Sequence, residues 1–252
     1  MPGRLPLPCR NGRDTVWLMR VKVALLLAGA IVISAAILGY SFYATRVNRE
    51  TITVVGAATE RFSADTVKWR LSVTKTVAAG ELSSAYAGMR LDYDRLEQVF
   101  LSSGLAEEEI SAQPVSSHPI HSAQGEINTY RMIQPVQVIS RKLDIVEDLA
   151  LDPGSFLSGE MILEQSRLEY FYSEIDTLKH QLLGAATKDA RRRAEEIAQP
   201  AGVTVGTISE ARAGVFQIRE PFSTEVSGYG MYDTSSREKE ISVTLHATFR
   251  AE

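Results

Sequence analysis

Residues 238–252 read EKEISVTLHATFRAE, and the middle of this stretch alternates without a break. Ile241, Val243, Leu245, Ala247 and Phe249 are apolar, while Ser242, Thr244, His246 and Thr248 between them are polar or ionisable. Neighbouring strand residues point to opposite sides of a sheet, so a period of two marks a strand with one buried face and one wet face. Such a strand needs other strands beside it and a layer packed on its apolar side.

Both requirements can be traced along the chain. Val67, Trp69, Leu71 and Val73 alternate with Lys68, Arg70, Ser72 and Thr74 in a second strand, and Ile52–Val55 is a short apolar β-branched run before it. From Glu81 the period lengthens. Leu82, Tyr86, Met89, Tyr93, Leu96 and Phe100 recur every three or four residues, which puts them on one helix face, and Ser102-Ser103-Gly104 ends that helix. A strand is expected over Tyr130–Ser140, with Pro135 at an edge or a bulge, and a short helix over Lys142–Leu151 closed by Asp152, Pro153 and Gly154.

A similar order then recurs. Arg167–Tyr172 reads as a strand. Ile175–Ala201 reads as a long helix with Ile175, Leu178, Leu182, Ala186, Ala190, Ala194 and Ile197 on one face, stopped by Gly202. Val205–Ile208 and Ala213–Ile218 are strand candidates, and the Ser-, Gly- and Glu-rich Pro221–Lys239 reads as a mobile loop. The class is α+β: antiparallel or mixed sheets with long helices packed on one face. A long helix in each half raises a possible internal duplication.

The N-terminal region is of another kind. Val23–Ala44 (VALLLAGAIVISAAILGYSFYA) contains no charged residue and exceeds the ~20 apolar residues that span a bilayer core. Arg4, Arg10, Arg13, Arg20 and Lys22 precede it against one acid, Asp14, which predicts a cytoplasmic N-terminus. A cleavable signal has a shorter apolar run and a small-x-small site. Here Phe42, Tyr43 and Ala44 precede Thr45, and Tyr40, Phe42 and Tyr43 suit an aromatic belt, so the run reads as an uncleaved anchor. The organisation is thus a cytoplasmic segment 1–22, a transmembrane signal anchor 23–44, a linker 45–50 and an exported domain 51–252.

Charge and cysteine usage narrow the function. Removing the five basic residues and one acid of segment 1–22 from 27 Lys+Arg and 31 Asp+Glu leaves 22 and 30, a net of −8. An acidic domain is a poor fit to nucleic acid and to anionic lipid headgroups. The only cysteine is Cys9, so the exported part has neither disulfide nor thiolate chemistry.

Five segments in order carry a resemblance. They are ITVVGAATERFSADTVKWRLSV (52–73), SGLAEEEISAQPVSSHPI (103–120), YRMIQPVQVISRKLDIVEDL (130–149), AATKDARRRAEEIAQPAGVTVGTI (185–208) and EKEISVTLHATFRAE (238–252). Together they resemble the SIMPL-domain family of bacterial envelope proteins. The fourth is similar to that family's A-x-x-D-A-R-x-K-A-x-x-x-A-x-x-x-G-V-x-L-G element, with Arg193 at the lysine position. The first is similar to its opening hairpin, with Ala64 where a proline usually precedes Asp65. The resemblance implies an exported α+β domain, so that residues 51–252 are expected in the periplasm, held at a bacterial inner membrane. It also implies a link to oxidative-stress tolerance in some members, ring-like oligomers in at least one, and no established catalytic residues.

No nucleophile elbow or H-E-x-x-H stretch occurs, and no catalytic residue or cofactor is expected. His118 and His121 in SHPIH are the nearest approach to a metal pair, provided the chain turns there; Glu126 is the only nearby third ligand, and zinc takes three or four. His180 and His246 have no partner at ligand spacing. Arg191-Arg192-Arg193 faces Glu195 and Glu196 at i,i+4 and reads as a solvated, self-paired helix face, although Asp189 and Arg192 could join a subunit contact. Gly202–Gly206 lacks a phosphate-loop ending and serves as helix stop and strand start. Asp65 is expected to turn the first hairpin, and Glu164 has no acid/base partner. The expectation is a non-enzymatic, self-assembling or binding protein. Pro135 and the loop Ser227–Tyr232 mark candidate contacts. The alternatives are a metal-binding module or metal-dependent enzyme on His118 and His121, or a small-ligand carrier with a pocket between sheet and helices.

Overall fold

The alternating segments all become strands, and they sort into two sheets. The structure is a computed structural model that describes residues 12–46, 50–157, 159–225 and 227–252. The first sheet is built on the C-terminal strand. β10 (Glu238–Ala251) is its central strand, flanked by β1 (Thr51–Ser63) on one side. On the other side lie β7 (Val205–Ala213) and β8 (Gln217–Arg219), and the two-residue β9 (Met231–Tyr232) runs parallel to β8. The second sheet has the order β3 (Ile110–Ala112), β5 (Ile127–Ser140), β2 (Thr66–Ala78), β6 (Ile162–Phe171), with β4 (Ser116–His121) also on β5.

Each sheet carries helices on one face only, so the molecule has two cores. α2 (Leu82–Ser102) and α3 (Leu143–Leu151) cover the second sheet. There Trp69, Phe100 and Phe156 form a ring triangle with centroids 5.4–5.6 Å apart, edge-on or tilted as aromatic quadrupoles prefer. α4 (Ile175–Ala198) covers the first sheet through Leu178, Leu182, Ala186, Ala190, Ala194 and Ala198. This stripe keeps strict i,i+4 spacing, so it ends on Ala198. Ile197, expected on the buried face, lies 56% exposed. A short 3₁₀ turn and Gly202, in the left-handed conformation at φ 68°, stop the helix as expected.

The internal repetition exists in topology, but it is nested. Long strand, long helix, two short strands and long strand occur as β2–α2–β3/β4–β5 and again as β1–α4–β7/β8–β10. In both, the last strand lies beside the first, and the two short strands share its outer side. The break between the short strands falls at matching places. The Gln113 N–H donates to Pro135 O (2.9 Å), and the Gly214 N–H donates to Thr244 O (2.8 Å). The whole second sheet is inserted between β1 and α4.

Several expectations need correction. β1 and β2 form no hairpin; β1 pairs with β10 and β2 with β5 and β6. Pro135 is not at a free edge. It sits in the interior strand β5, with its main chain turned to the break between β3 and β4, where only one bond back to exposed Gln113 is forgone. The segment 221–239 is not one long loop. It contains β9, and residues 233–237 bond to β6 and α3.

α1 (Gly12–Arg46) is longer than the expected span, 35 residues or about 50 Å. Its apolar part, Arg20–Tyr43, has a mean hydropathy of 2.5, and none of it is buried against protein. A helix apolar on all sides and unburied fits a single-pass anchor or a signal sequence. Of the linker expected over 45–50, residues 45 and 46 belong to α1 and 47–49 lie outside the described residues, as do 1–11 with Cys9.

Candidate functional site

The described residues offer three surfaces that could carry function: the uncovered face of the first sheet, the outer strand edges, and the seam between the sheets. On the uncovered face Thr51, Thr53 and Thr59 of β1 stand near Ser242, Thr244, His246 and Thr248 of β10 and Glu210 and Arg212 of β7. Three clefts of about 870, 660 and 300 Å³ open there. The first is lined by Glu50, Glu210, Glu252 and Arg250 and the third by His246, Arg212 and Thr53. The second is more apolar, with Ala57, Ala213, Val215 and Val243 in its lining, but all three are open grooves on a strand surface, unlike the enclosed apolar pockets that hold small ligands.

Between the first sheet and α4, where a carrier would keep its cargo, strand and helix are in direct contact at Gly56. At Gly56 a Cβ would lie 2.6 Å from Ala190 N and 2.7 Å from Ala190 Cβ, and would run into Ala186 O. α4 therefore rests directly on the backbone of β1, which only glycine opposite alanine allows.

The edges differ in how they are finished. The Asp189 carboxylate on α4 reaches past β1 and accepts the Ala57 N–H at 2.9 Å, although 132 positions separate the two. Ala57 stands opposite Thr244, whose main chain faces β7, so the captured amide is the one turned away from the sheet. Asp189 also holds Arg192 (2.5 Å) and Arg193 (2.7 Å). The Ala57 amide first, then Arg192 and Arg193, hold its carboxyl down at about 2. Asp189 and Arg192, expected as a possible subunit contact, are thus engaged within the chain. Arg191 pairs with Glu195 (2.9 Å) and Arg192 with Glu196 (3.8 Å), the self-paired face that the spacing predicts. On β6 the outward Tyr170 N–H is taken by Thr234 O (2.8 Å). β4 contains Pro119. β7 has none of these devices.

The seam is where the chain crosses between sheets, at 64–65 and again at 172–174. Asp65 pins the two crossings together. The Ser173 N–H donates to Oδ1 (3.0 Å) and Oδ2 (3.1 Å), the Ser173 hydroxyl donates to Oδ2 (2.5 Å), and Thr66 donates to Oδ1 (2.9 Å). Partial burial pushes this carboxyl up, but the bonds from Ser173 and Thr66 and the Arg141 charge outweigh it and leave it below the ordinary value. Asp65 therefore clamps a crossing instead of turning a hairpin. Beside it Arg237 joins Asp144 (2.6 Å) and Glu147 (3.3 Å) of α3. Lys239 is fully buried and donates to Asp233 O (2.6 Å); burial depresses its pKa, and the Asp233 charge partly offsets that.

The histidines are not brought together. β4 is extended through His118 and His121, so the turn a shared ion requires is missing, and residues three apart on a strand face opposite sides. Both are exposed, Glu126 lies in the following turn, and His180 is exposed on α4. Among the described residues no group of three or more His, Cys, Asp or Glu side chains is placed to hold an ion. Glu164 pairs with Arg131 at 3.4 Å. What the sequence reading missed is the pair of long-range clamps at Asp65 and Asp189. The only local signal for either was an acid beside small or hydroxylic residues.

No curated protein matches the chain. The model of the SIMPL family, described as a protein of unknown function (DUF541), matches residues 52–249. That match begins one residue into β1, ends two residues before the end of β10, and spans both nested units. The two sheets, their helices and the Asp189 and Asp65 clamps all fall within the matched domain, and this chain belongs to the SIMPL family.

Proposed function

We infer that the protein is a single-pass envelope protein whose domain works by self-association or binding, without catalysis. The N-terminus lies in the cytoplasm, α1 stays in the inner membrane, and residues 51–252 occupy the periplasm. The basic flank of α1 and the family membership support this placement. The observation that carries the binding reading is the uneven finish of the strand edges. β1, β4 and β6 each have an outward amide engaged or a proline in place, whereas β7 is left uncovered. An open edge is a template for another strand, and chains that do not use one usually block it.

Two measurements test the reading. Intact mass of the protein purified from membranes should include the N-terminal residues; loss of about the first 44 would replace the anchor by a cleaved signal. Light scattering of the full chain in detergent, over a concentration series, should show a discrete oligomer. A monomer at every concentration would remove self-association. The stress role that the resemblance implies for some members predicts peroxide sensitivity in cells lacking the protein, restored by the anchored form.

A further inference from the structure

The geometry points to β7 as a homotypic docking strand: two copies join antiparallel through this edge about a two-fold axis at Ala211. This rests on the self-association reading and assigns it a surface and a register. β7 bonds only to β10, and every residue from Thr207 to Ala213 is exposed. Its register irregularities fall at Thr248/Phe249 and Phe249/Ala251 of β10, so the regular part of the strand runs from Glu210 to Ala213.

Main-chain direction and charge select the centre. Gly214 bonds to Thr244, so by alternation Arg212 and Glu210 turn their main chains toward β10, while Ala211 and Ala213 turn theirs outward. A two-fold at Ala211 lets the two Ala211 residues exchange N–H···O bonds. It also sets Glu210 opposite Arg212 of the second copy, twice, in the close non-hydrogen-bonded pairs. A centre at residue 210 would oppose Glu210 to itself, a centre at 212 would oppose Arg212 to itself, and a centre at 209 would set Glu210 against Ile208. In the single chain Glu210 and Arg212 meet loosely at 3.9 Å and are 68% and 81% exposed.

Antiparallel edge pairing turns one copy end over end about an axis normal to the sheet. The two β1 strands then begin at opposite ends, and two anchored copies lay the joined sheet along the bilayer.

The test uses the full chain in detergent with its single cysteine replaced, Cys9→Ser. Ala211→Cys should give a disulfide-linked dimer on mild oxidation, because paired Cα atoms lie ~5.5 Å apart at such positions. Thr53→Cys, on the open face of β1, should not. Glu210→Arg and Arg212→Glu should each weaken association by roughly tenfold, and the two together should restore it. Ala211→Pro should abolish association with an unchanged circular dichroism spectrum, since the amide removed is not bonded to β10. Association that survives all of these, with no Ala211 cross-link, overturns this edge and leaves assembly to another surface. A Cys9→Ser chain that is monomeric throughout overturns the edge and the self-association reading together.

Discussion

At the scale of single residues, two positions show how close contact and charge hold the domain. Gly56 is the point where α4 touches the sheet backbone, so Gly56→Val should cost about 1–3 kcal/mol or more through overpacking, read from denaturant melts. Gly184 lies in the same helix, and a Cβ added there would meet nothing within 4 Å, so Gly184→Ala should stabilise by about 0.5–1 kcal/mol. If both changes behaved alike, close packing at Gly56 would not be the cause. Asp65 makes a pH prediction. Its folded value lies below the unfolded 3.8, so its contribution is complete above about pH 4 and drains away as the pH falls through the folded value. Asp65→Asn should lower stability at pH 7 by about 1–2 kcal/mol, and the difference from wild type should shrink in acid. A pH-independent difference would point to shape, not charge.

At the scale of elements, the finish of β1 is a property of α4. Asp189→Ala leaves the Ala57 amide open to water, and its hydrogen exchange should accelerate while the amides bonded to β10 stay protected. Unchanged protection at Ala57 would mean that Asp189 does not hold this edge. Much of the element pattern was readable in the sequence. β2, β5, β10, α2 and α4 appear wherever apolar residues keep a period of two or of three to four. β1 was readable only at its start, because Gly56, Ala57 and Ala58 interrupt its apolar run. Gly56 is there for the close approach of α4, a tertiary reason that no local window contains. Asp189 hid for a related cause: its bonds to Arg192 and Arg193 look like ordinary helix pairs, and the bond to Ala57 crosses the fold. β9, two residues held by β8, has no periodicity to read.

At the scale of the whole molecule, sequence order and spatial order part company. The resemblance named the family and the mixed class, yet the nesting of one unit inside the other left no trace in composition or period. β1 pairs with β10 from Thr51 opposite Arg250 to Ser63 opposite Glu238. The second sheet, by contrast, is complete within residues 66–171. This difference sets a timetable for folding. A chain made from its N-terminus can finish the second sheet while the last 80 or so residues are still to come, as local units tend to fold first. β1, made before the second sheet, must wait for the final strand. Pulse-labelled hydrogen exchange during refolding should protect β2 and β5 before β1 and β10; simultaneous protection would mean that the two sheets form as one cooperative unit. Until the C-terminus arrives, the chain exposes the unpaired side of β1, and that interval is when the growing domain is most open to pairing with a neighbour.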